Sequence, residues 1–314
     1  MKNKPKYRIR NWKEYNRSLR MRGSLTFWIS QDLIDKWMMS EPSGGRGRSM
    51  RYSAAAILAM AQVKFVFHQA GRQTCGLLAS VFQLLQVGLP VPDHSTLSRR
   101  MAQIEVPLPV TGSRQARHLV IDSSGLKVYG EGEWKVRTHG VSKRRTWRKL
   151  HLCVDEATGE VIACAATENS VSDGEMFPHL LEVVAGEIKQ VSADGSYDRR
   201  KVYDVLNKRE IRRAAIPPRR NAKIWQHGNT KKERLVRDEN LRSVRKKGRA
   251  RWKRETYYHR RSLAETGVFR FKQIFTDKLQ SRSQENQFQE MIIKCAALNR
   301  MTHLGMPDSY KVVV

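Results

Sequence analysis

Two acidic residues occupy positions where a carboxylate has few ordinary uses. Asp122 ends the apolar run Leu119-Val-Ile, and Asp194 ends another that spans Ile188 to Ala193. Both runs have the composition of buried strands. Glu265 lies farther along, in a segment with helical spacing. Tyr258, Arg261, Glu265 and Lys272 stand at offsets 0, 3, 7 and 14. At about 100° per residue these four share an arc of roughly 60° on one helix face. Leu263, Phe271 and Ile274 fall on the opposite side, as core contacts would. Each feature alone has an ordinary explanation. A strand-end Asp can make a turn, as Asp194-Gly195 would, and a stripe of Tyr, Arg, Glu and Lys can be a solvated face with helical ion pairs.

Taken together they suggest something else. Three carboxylates on two strands and one helix can meet at one edge of a sheet, where they repel unless a cation lies between them. Oxygen-only ligands suit magnesium or manganese rather than zinc. A pair of such ions about 3.5–4 Å apart is the standard means of in-line displacement at phosphorus. That reaction needs charge stabilisation more than a tuned organic base, so three acids and a few supporting groups suffice.

The composition indicates the kind of molecule such a site would act on. The chain has 314 residues, of which 59 are Lys or Arg and 30 Asp or Glu, giving a net charge of +29. An excess this large repels itself, and a polyanionic partner is the usual reason to tolerate it. Nucleic acid fits best; charge alone does not separate DNA from RNA. No stretch approaches the ~20 apolar residues of a membrane helix. No signal-peptide core follows the basic start, so a cytoplasmic, nucleoid-associated protein without a membrane partner is expected. The four scattered cysteines form no C-x-x-C pair, which argues against zinc or a disulfide framework. The basic excess peaks between Arg199 and Arg261, with 24 Lys and Arg against 6 Asp and Glu. Its stretch from Gly228 to Ala250 reads either as a solvated linker or as a surface that follows a DNA backbone.

The elements that must carry these residues fall into two parts. Residues 1 to 115 read as helical. Ser53 caps a helix from Ala54 to about His68, an amphipathic helix covers Thr74 to Gln86, and Asp93 caps a short helix from His94 to Met101. Helix, turn and a short helix rich in Ser, Thr and Arg is the layout of a helix-turn-helix reader, with Ser95, Thr96, Arg99 and Arg100 as candidate DNA contacts. An ordinary capped helix would explain the same residues. Pro107 to Ser113 marks the boundary. Residues 116 to 314 alternate between strand and helix patterns. Strands are expected at Leu119–Asp122, Lys149–Val154, Glu160–Ala166, Ile188–Ala193 and Arg213–Ile216, and helices at Asp173–Ala185 and Arg199–Lys208. This order predicts an α/β domain, a mixed sheet flanked by helices, with a basic insertion at about 219–256.

At this level a resemblance becomes explicit. Tyr258-x2-Arg261-x3-Glu265-x6-Lys272 is similar, residue for residue, to the C-terminal motif of bacterial insertion-sequence DDE transposases. The stretches Leu119 to Lys135 and Trp147 to Asp155 resemble the family's first-strand block. Ser192-Ala-Asp-Gly-Ser-Tyr-Asp198 resembles its second-Asp block, and Tyr258-His-Arg-Arg-Ser-Leu-Ala-Glu-Thr266 its third. The whole resembles insertion sequence family five, in the subgroup typified by element nine-oh-three. The resemblance implies a ribonuclease-H-like catalytic core in which Asp122, Asp194 and Glu265 bind two Mg2+ ions, with Mn2+ able to substitute. It implies that Arg261 and Lys272 contact DNA phosphate near the cut end, with Tyr258 supporting that surface. It also implies an N-terminal region that recognises terminal inverted repeats. The expected activity is hydrolysis at the element ends and transfer of the 3′-hydroxyl ends to target double-stranded DNA. The two ends must be paired, so a homo-oligomer assembled on DNA is expected.

Other residues carry weaker readings. Trp134 and Trp147 could stack on an unpaired base, but such residues are more often core. His139 and His151 could assist proton transfer but read more simply as structural. Asp155, Glu168, Asp173 and Asp198 read as caps, turn formers or ion-pair partners rather than metal ligands. Two alternatives remain open at this level: a DNA-binding repressor derived from a decayed enzyme, and a nuclease of the same core that cuts without joining.

Overall fold

A computed structural model of the chain describes residues 6–41, 49–112, 117–128, 147–226 and 234–312. It divides into two units, Met1–Pro109 with Ala296–Val314, and Val110–Cys295. The sequence places one boundary near residue 115. The structure places one beside it and returns the last residues of the chain to the first unit. The cause is a pairing between the two ends of the chain. Strand β1 (Lys6–Ile9) runs antiparallel to strand β8 (Ser309–Val312), with Lys6 opposite Val312. The Asn11 side chain extends the join, donating to the Met306 carbonyl at 3.0 Å and accepting from the Asp308 amide at 2.8 Å. Nothing local announces a partner at the far end of the chain.

Among the described residues the N-terminal part of the first unit holds the helices α1 (Trp12–Arg22), α2 (Leu25–Trp28), α3 (Gln31–Asp35), α4 (Ala54–Val66), α5 (Gly71–Leu84) and α6 (His94–Met101). The Ser53 hydroxyl caps α4, accepting from the Ala56 amide at 3.1 Å, as the sequence predicts. Trp28, Trp37, Ile57, Met60, Leu78, Phe82, Leu97 and Met101 are buried. The α5–α6 connection spans residues 85–93 and is longer than the three- or four-residue turn of a typical helix-turn-helix. Its prolines hold it extended, and it is pinned where Trp37 Nε1 donates to the Pro90 carbonyl at 2.9 Å.

The second unit is built on a six-stranded mixed sheet. β2 (Arg117–Val128), β3 (Trp147–Asp155) and β4 (Val161–Glu168) form an antiparallel meander. β5 (Ile188–Ser192) then pairs parallel with β2, and β6 (Ala214–Ala215) parallel with β5. The short strand β7 (Lys278–Leu279) pairs with the far end of β2. Helices cover both faces. α7 (Asp173–Glu182) and α8 (Arg200–Lys208) bury Phe177, Leu180, Leu181, Val202, Tyr203 and Leu206 against Leu119, Ile121 and Cys153. α11 (Ser262–Phe275) packs on β2 and β3 from the other side. There Gly267 lies against Val154, whose methyl is 3.7 Å from where a Cβ would stand, an ordinary contact distance. The last helix, α12 (Gln284–His303), gives residues to both units. Among the described residues no helix is long and apolar enough to cross a membrane.

Among the described residues the basic stretch is folded rather than a plain linker; residues 227–233 lie outside them. α9 (Val236–Lys247) and α10 (Arg249–Glu255) meet at Gly248, whose φ of +82° suits glycine. Asn240 ties the pair to the sheet edge: its amide donates to the Ala214 carbonyl at 2.7 Å and its oxygen accepts from buried Trp252 Nε1 at 3.1 Å. Beneath them lies a buried ion network. Arg237 Nε donates to Asp198 at 2.9 Å, and Nη1 lies 3.2 Å from Asp238. Its guanidinium carbon sits 3.7 Å from the Trp225 ring centroid. Asp238 in turn accepts from the Trp225 and Gln226 amides. Arg237→Ala should lower the stability of this unit by about 3–5 kcal/mol, because two carboxylates remain buried without their cation. A urea transition with a lowered midpoint and an unchanged slope would show it.

Candidate active site

Pairing register brings the first two acids together. β2 and β5 run parallel with Val120 beside Ser192. Two residues further along the chain stand Asp122, still within β2, and Asp194, just past the end of β5. Side chains alternate along a strand, so Asp122 shares the face of Val120, and Asp194 is near enough for its charge to act on Asp122. β2 does not end at Asp122, as its apolar run suggests. It continues to Val128, held by β3, with Asp122 opposite Leu152. β5 does end, and Asp194 begins a tight turn in which its Oδ1 accepts from the Ser196 amide at 2.7 Å and the Ser196 hydroxyl at 2.5 Å. Asp194 is therefore a turn former as well as a neighbour of Asp122.

Glu265 comes to the same face on α11. That helix buries Ala264, Gly267, Phe271 and Phe275 and leaves Glu265 exposed. The single stripe expected from Tyr258 to Lys272 is broken in two. Tyr258–Arg261 form a 3-10 turn, entered through Tyr257 at a φ of +54°, and the α-helix starts only at Ser262. The turn is fastened to the sheet at two points. Gln190 Nε2 donates to the Thr256 carbonyl at 2.8 Å, and Arg260 pairs with Glu156. His118 lies 3.4 Å from the same Glu156. Burial and the Arg260 charge push the His118 pKa down to about 4, so it is neutral there at pH 7.

Arg261 bridges two of the acids. Its guanidinium pairs with Glu265 and lies 3.7 Å from Asp122 Oδ1. Tyr258 stands beside it, 5.9 Å from ring centroid to guanidinium carbon, and tilts against Trp252 at 5.8 Å. Burial raises the Asp122 carboxyl above its ordinary pKa, and the Asp194 and Glu265 charges add to the shift, against the pull of Arg261. The donor chemistry, carboxylate oxygens only, fits a hard divalent cation. Among the described residues, however, no three acids, His or Cys are drawn close enough to hold a metal ion. The three acids face one another without closing into a ligand shell.

The other residues picked out in the sequence are placed as follows. Lys272 is half-buried, about two turns beyond Glu265 on α11. On α6, Ser95 and Arg99 are exposed and Thr96 is half-buried, while Arg100 is half-buried and donates to the Tyr52 carbonyl at 3.1 Å. Trp147 packs over Gly125, where a Cβ would come within 3.2 Å of its ring. His151 is buried against Thr167 at 2.9 Å, with its pKa pushed down to about 4 by burial. Asp155, Asp173 and Asp198 pair with Arg117, Lys149 and Arg237, and Glu168 accepts from Gln284. Trp134 and His139 lie outside the described residues. Sequence reasoning passed over Arg237, Asp238 and Trp225, because nothing marks them out within a run of basic residues. It also missed the link from Ser123, next to Asp122, to Asp173 at the start of α7, a 2.9 Å hydrogen bond.

Two family models, both described as a transposase DDE domain, match the chain, one over residues 113–300 and the other over residues 20–131. The first covers more than half of the chain and includes Asp122, Asp194 and Glu265.

The raised Asp122 pKa has a consequence for stability. A carboxyl whose folded pKa exceeds its unfolded value penalises folding above that window and not below it. Asp122→Asn should therefore melt higher than the parent at about pH 7, and the gap should close as the pH falls to about 3. A parent that melts no lower than the variant at neutral pH would contradict the assignment.

Proposed function

This chain belongs to the DDE transposase family, DNA-cleaving and strand-transferring enzymes, and we propose that it acts on the ends of an insertion sequence through Asp122, Asp194 and Glu265. What carries the reading is the shared register that sets Asp122 beside Asp194 on one face of the sheet, with α11 bringing Glu265 to that face. We further propose membership of insertion sequence family five, on the motif spacing described above. Bound Mg2+ or Mn2+, two ions in this reading, would stabilise the attacking and departing oxygens of an in-line displacement.

The chain's own groups do the positioning. Asp122 is set by a strand in the middle of the sheet, and Asp194 by the turn that follows β5, where the Ser196 amide and hydroxyl hold its Oδ1. Glu265 is set by a helix and has more freedom, since its side chain is 53% exposed. Arg261, Lys272 and Tyr258 line the approach and hold the strand to be cut, the two cations by its phosphates and the ring by packing. Water attacks the scissile phosphorus, the bond to the 3′ oxygen breaks, and a free 3′-hydroxyl results. That hydroxyl then attacks a phosphorus of the target strand and displaces its 3′ oxygen. Both reactions are displacements at phosphorus with the same charge development, so one site serves both. The N-terminal unit recognises the terminal repeats through α6, with Ser95, Thr96, Arg99 and Arg100 facing DNA. Exposed Arg245, Lys246, Lys247, Arg251 and Arg254 on α9 and α10 grip the duplex backbone. Joining two ends in one event requires a homo-oligomer on the DNA.

Asp122→Asn, Asp194→Asn and Glu265→Gln should each reduce nicking and joining of end-sequence DNA in Mg2+ to background while end binding persists. Near-parent cleavage by any variant removes that residue from the site. Cut ends without joined product from the parent would leave a nuclease rather than a transposase. Lys272→Ala should shallow the dependence of log affinity on log salt by about 1, and Arg99→Ala should weaken end DNA more than random DNA.

A further inference from the structure

Arg261 occupies the position between Asp122 and Glu265 that their mutual repulsion would otherwise make costly. A guanidinium is permanently charged and forked, so one side chain can serve two carboxylates at once. Here one nitrogen pairs with Glu265 while another lies 3.7 Å from Asp122 Oδ1. The Asp194 Oδ1 is engaged elsewhere, by the Ser196 amide and hydroxyl. Arg261 is also within reach of solvent, with its side chain 20% exposed, and exposed Arg254 and Arg260 are close in the chain. A polyanion approaching this surface meets a forked donor whose geometry suits a phosphate as well as a carboxylate.

We propose that Arg261 is an internal counter-ion of the acidic site, which a DNA phosphate draws away so that a divalent cation can take its place. The inference rests on the function proposed above. The same Asp122 and Glu265 oxygens cannot serve a guanidinium and a divalent cation together without placing two positive centres side by side. DNA and metal therefore bind with positive cooperativity, and the coupling is reciprocal: metal strengthens DNA binding by the factor that DNA strengthens metal binding. A site loaded in this way is charged for catalysis only when its substrate is present. The helix and the 3-10 turn need not move, because Arg261 has enough rotatable bonds to swing from the acids to a phosphate.

The test measures Mn2+ binding to the full chain from the electron paramagnetic resonance of free aquo-Mn2+, a readout independent of activity. Without DNA, Arg261→Ala should bind Mn2+ about 5- to 150-fold more tightly than the parent. Arg261→Gln, which keeps most of the packing, should behave in the same way. Arg260→Ala removes a neighbouring charge that is paired with Glu156 and should change Mn2+ affinity far less. A duplex of random sequence at low salt should tighten Mn2+ binding to the parent more than to Arg261→Ala. Equal Mn2+ affinity in the parent and Arg261→Ala without DNA overturns the proposal, as does an equal gain from Arg260→Ala, and equal tightening by the duplex overturns the coupling. Asp122→Asn separates the two levels of the argument. If it binds Mn2+ as the parent does, the acidic site itself is misassigned. If it loses Mn2+ while Arg261→Ala matches the parent, only the counter-ion fails.

Discussion

The parallel pairing of β2 with β5 is the constraint on which the rest of the catalytic unit depends. It is a short ladder, in step from His118 beside Gln190 to Val120 beside Ser192 after a one-residue shift beyond Arg117 and Ile188. Because the strands are parallel and in step, residues equally far beyond the last pair come out on the same face at neighbouring heights. Asp122 and Asp194 are those residues. A slip of one position would turn one of the two acids to the opposite face, among Leu119, Ile121 and Phe177. The apolar residues around the ladder therefore specify the site as much as the acids do. Leu119, Val120, Ile121 and Val191 are fully buried, so the register that hides them is also the one that sets the carboxylates side by side.

Gathering negative charge against a buried sheet has a cost, visible in the raised carboxyl of Asp122. The surroundings of the site offset it with cations at different distances. Arg261 bridges two acids directly, and Lys253 and Arg261 flank the Tyr258 ring at 5.1 and 5.9 Å. Further out, α9 and α10 carry exposed Arg and Lys. The net charge of +29 is thus not spread at random. Part of it, Arg261 and Lys253, stands next to an acidic focus that would otherwise repel a phosphate backbone.

The segment between β6 and α11 shows how a strongly basic stretch can still fold. Its exposed faces carry the charge, while its inner side is anchored by a few residues of other kinds: Trp225, Asp238, Asn240 and Trp252. One arginine, Arg237, is turned inward to Asp198, which stands at the end of the turn begun by Asp194. The basic helices are therefore joined to the loop that holds the second acid, and the surface that would grip DNA and the turn that would help cut it share a buried support.

Much of this was legible in the sequence. Strand and helix patterns, the caps at Ser53 and Asp93, the three acids and the charge all follow from local spacing and composition, because hydrophobic period and capping chemistry act over a few residues. The tertiary structure alone decided what depends on distant partners. It ran β2 on past Asp122, since β3 supplies ladder bonds that apolar content does not reveal. It split the Tyr258–Lys272 stripe, since Gln190 and Glu156 hold the first turn in a 3-10 form. It joined β1 to β8 and set Arg261 between Asp122 and Glu265. Apart from the Arg261–Glu265 pair, which is four residues long and local, each of these is a contact between residues far apart in the chain, and such contacts are selected by the energy of the whole packed state rather than by any neighbour in sequence.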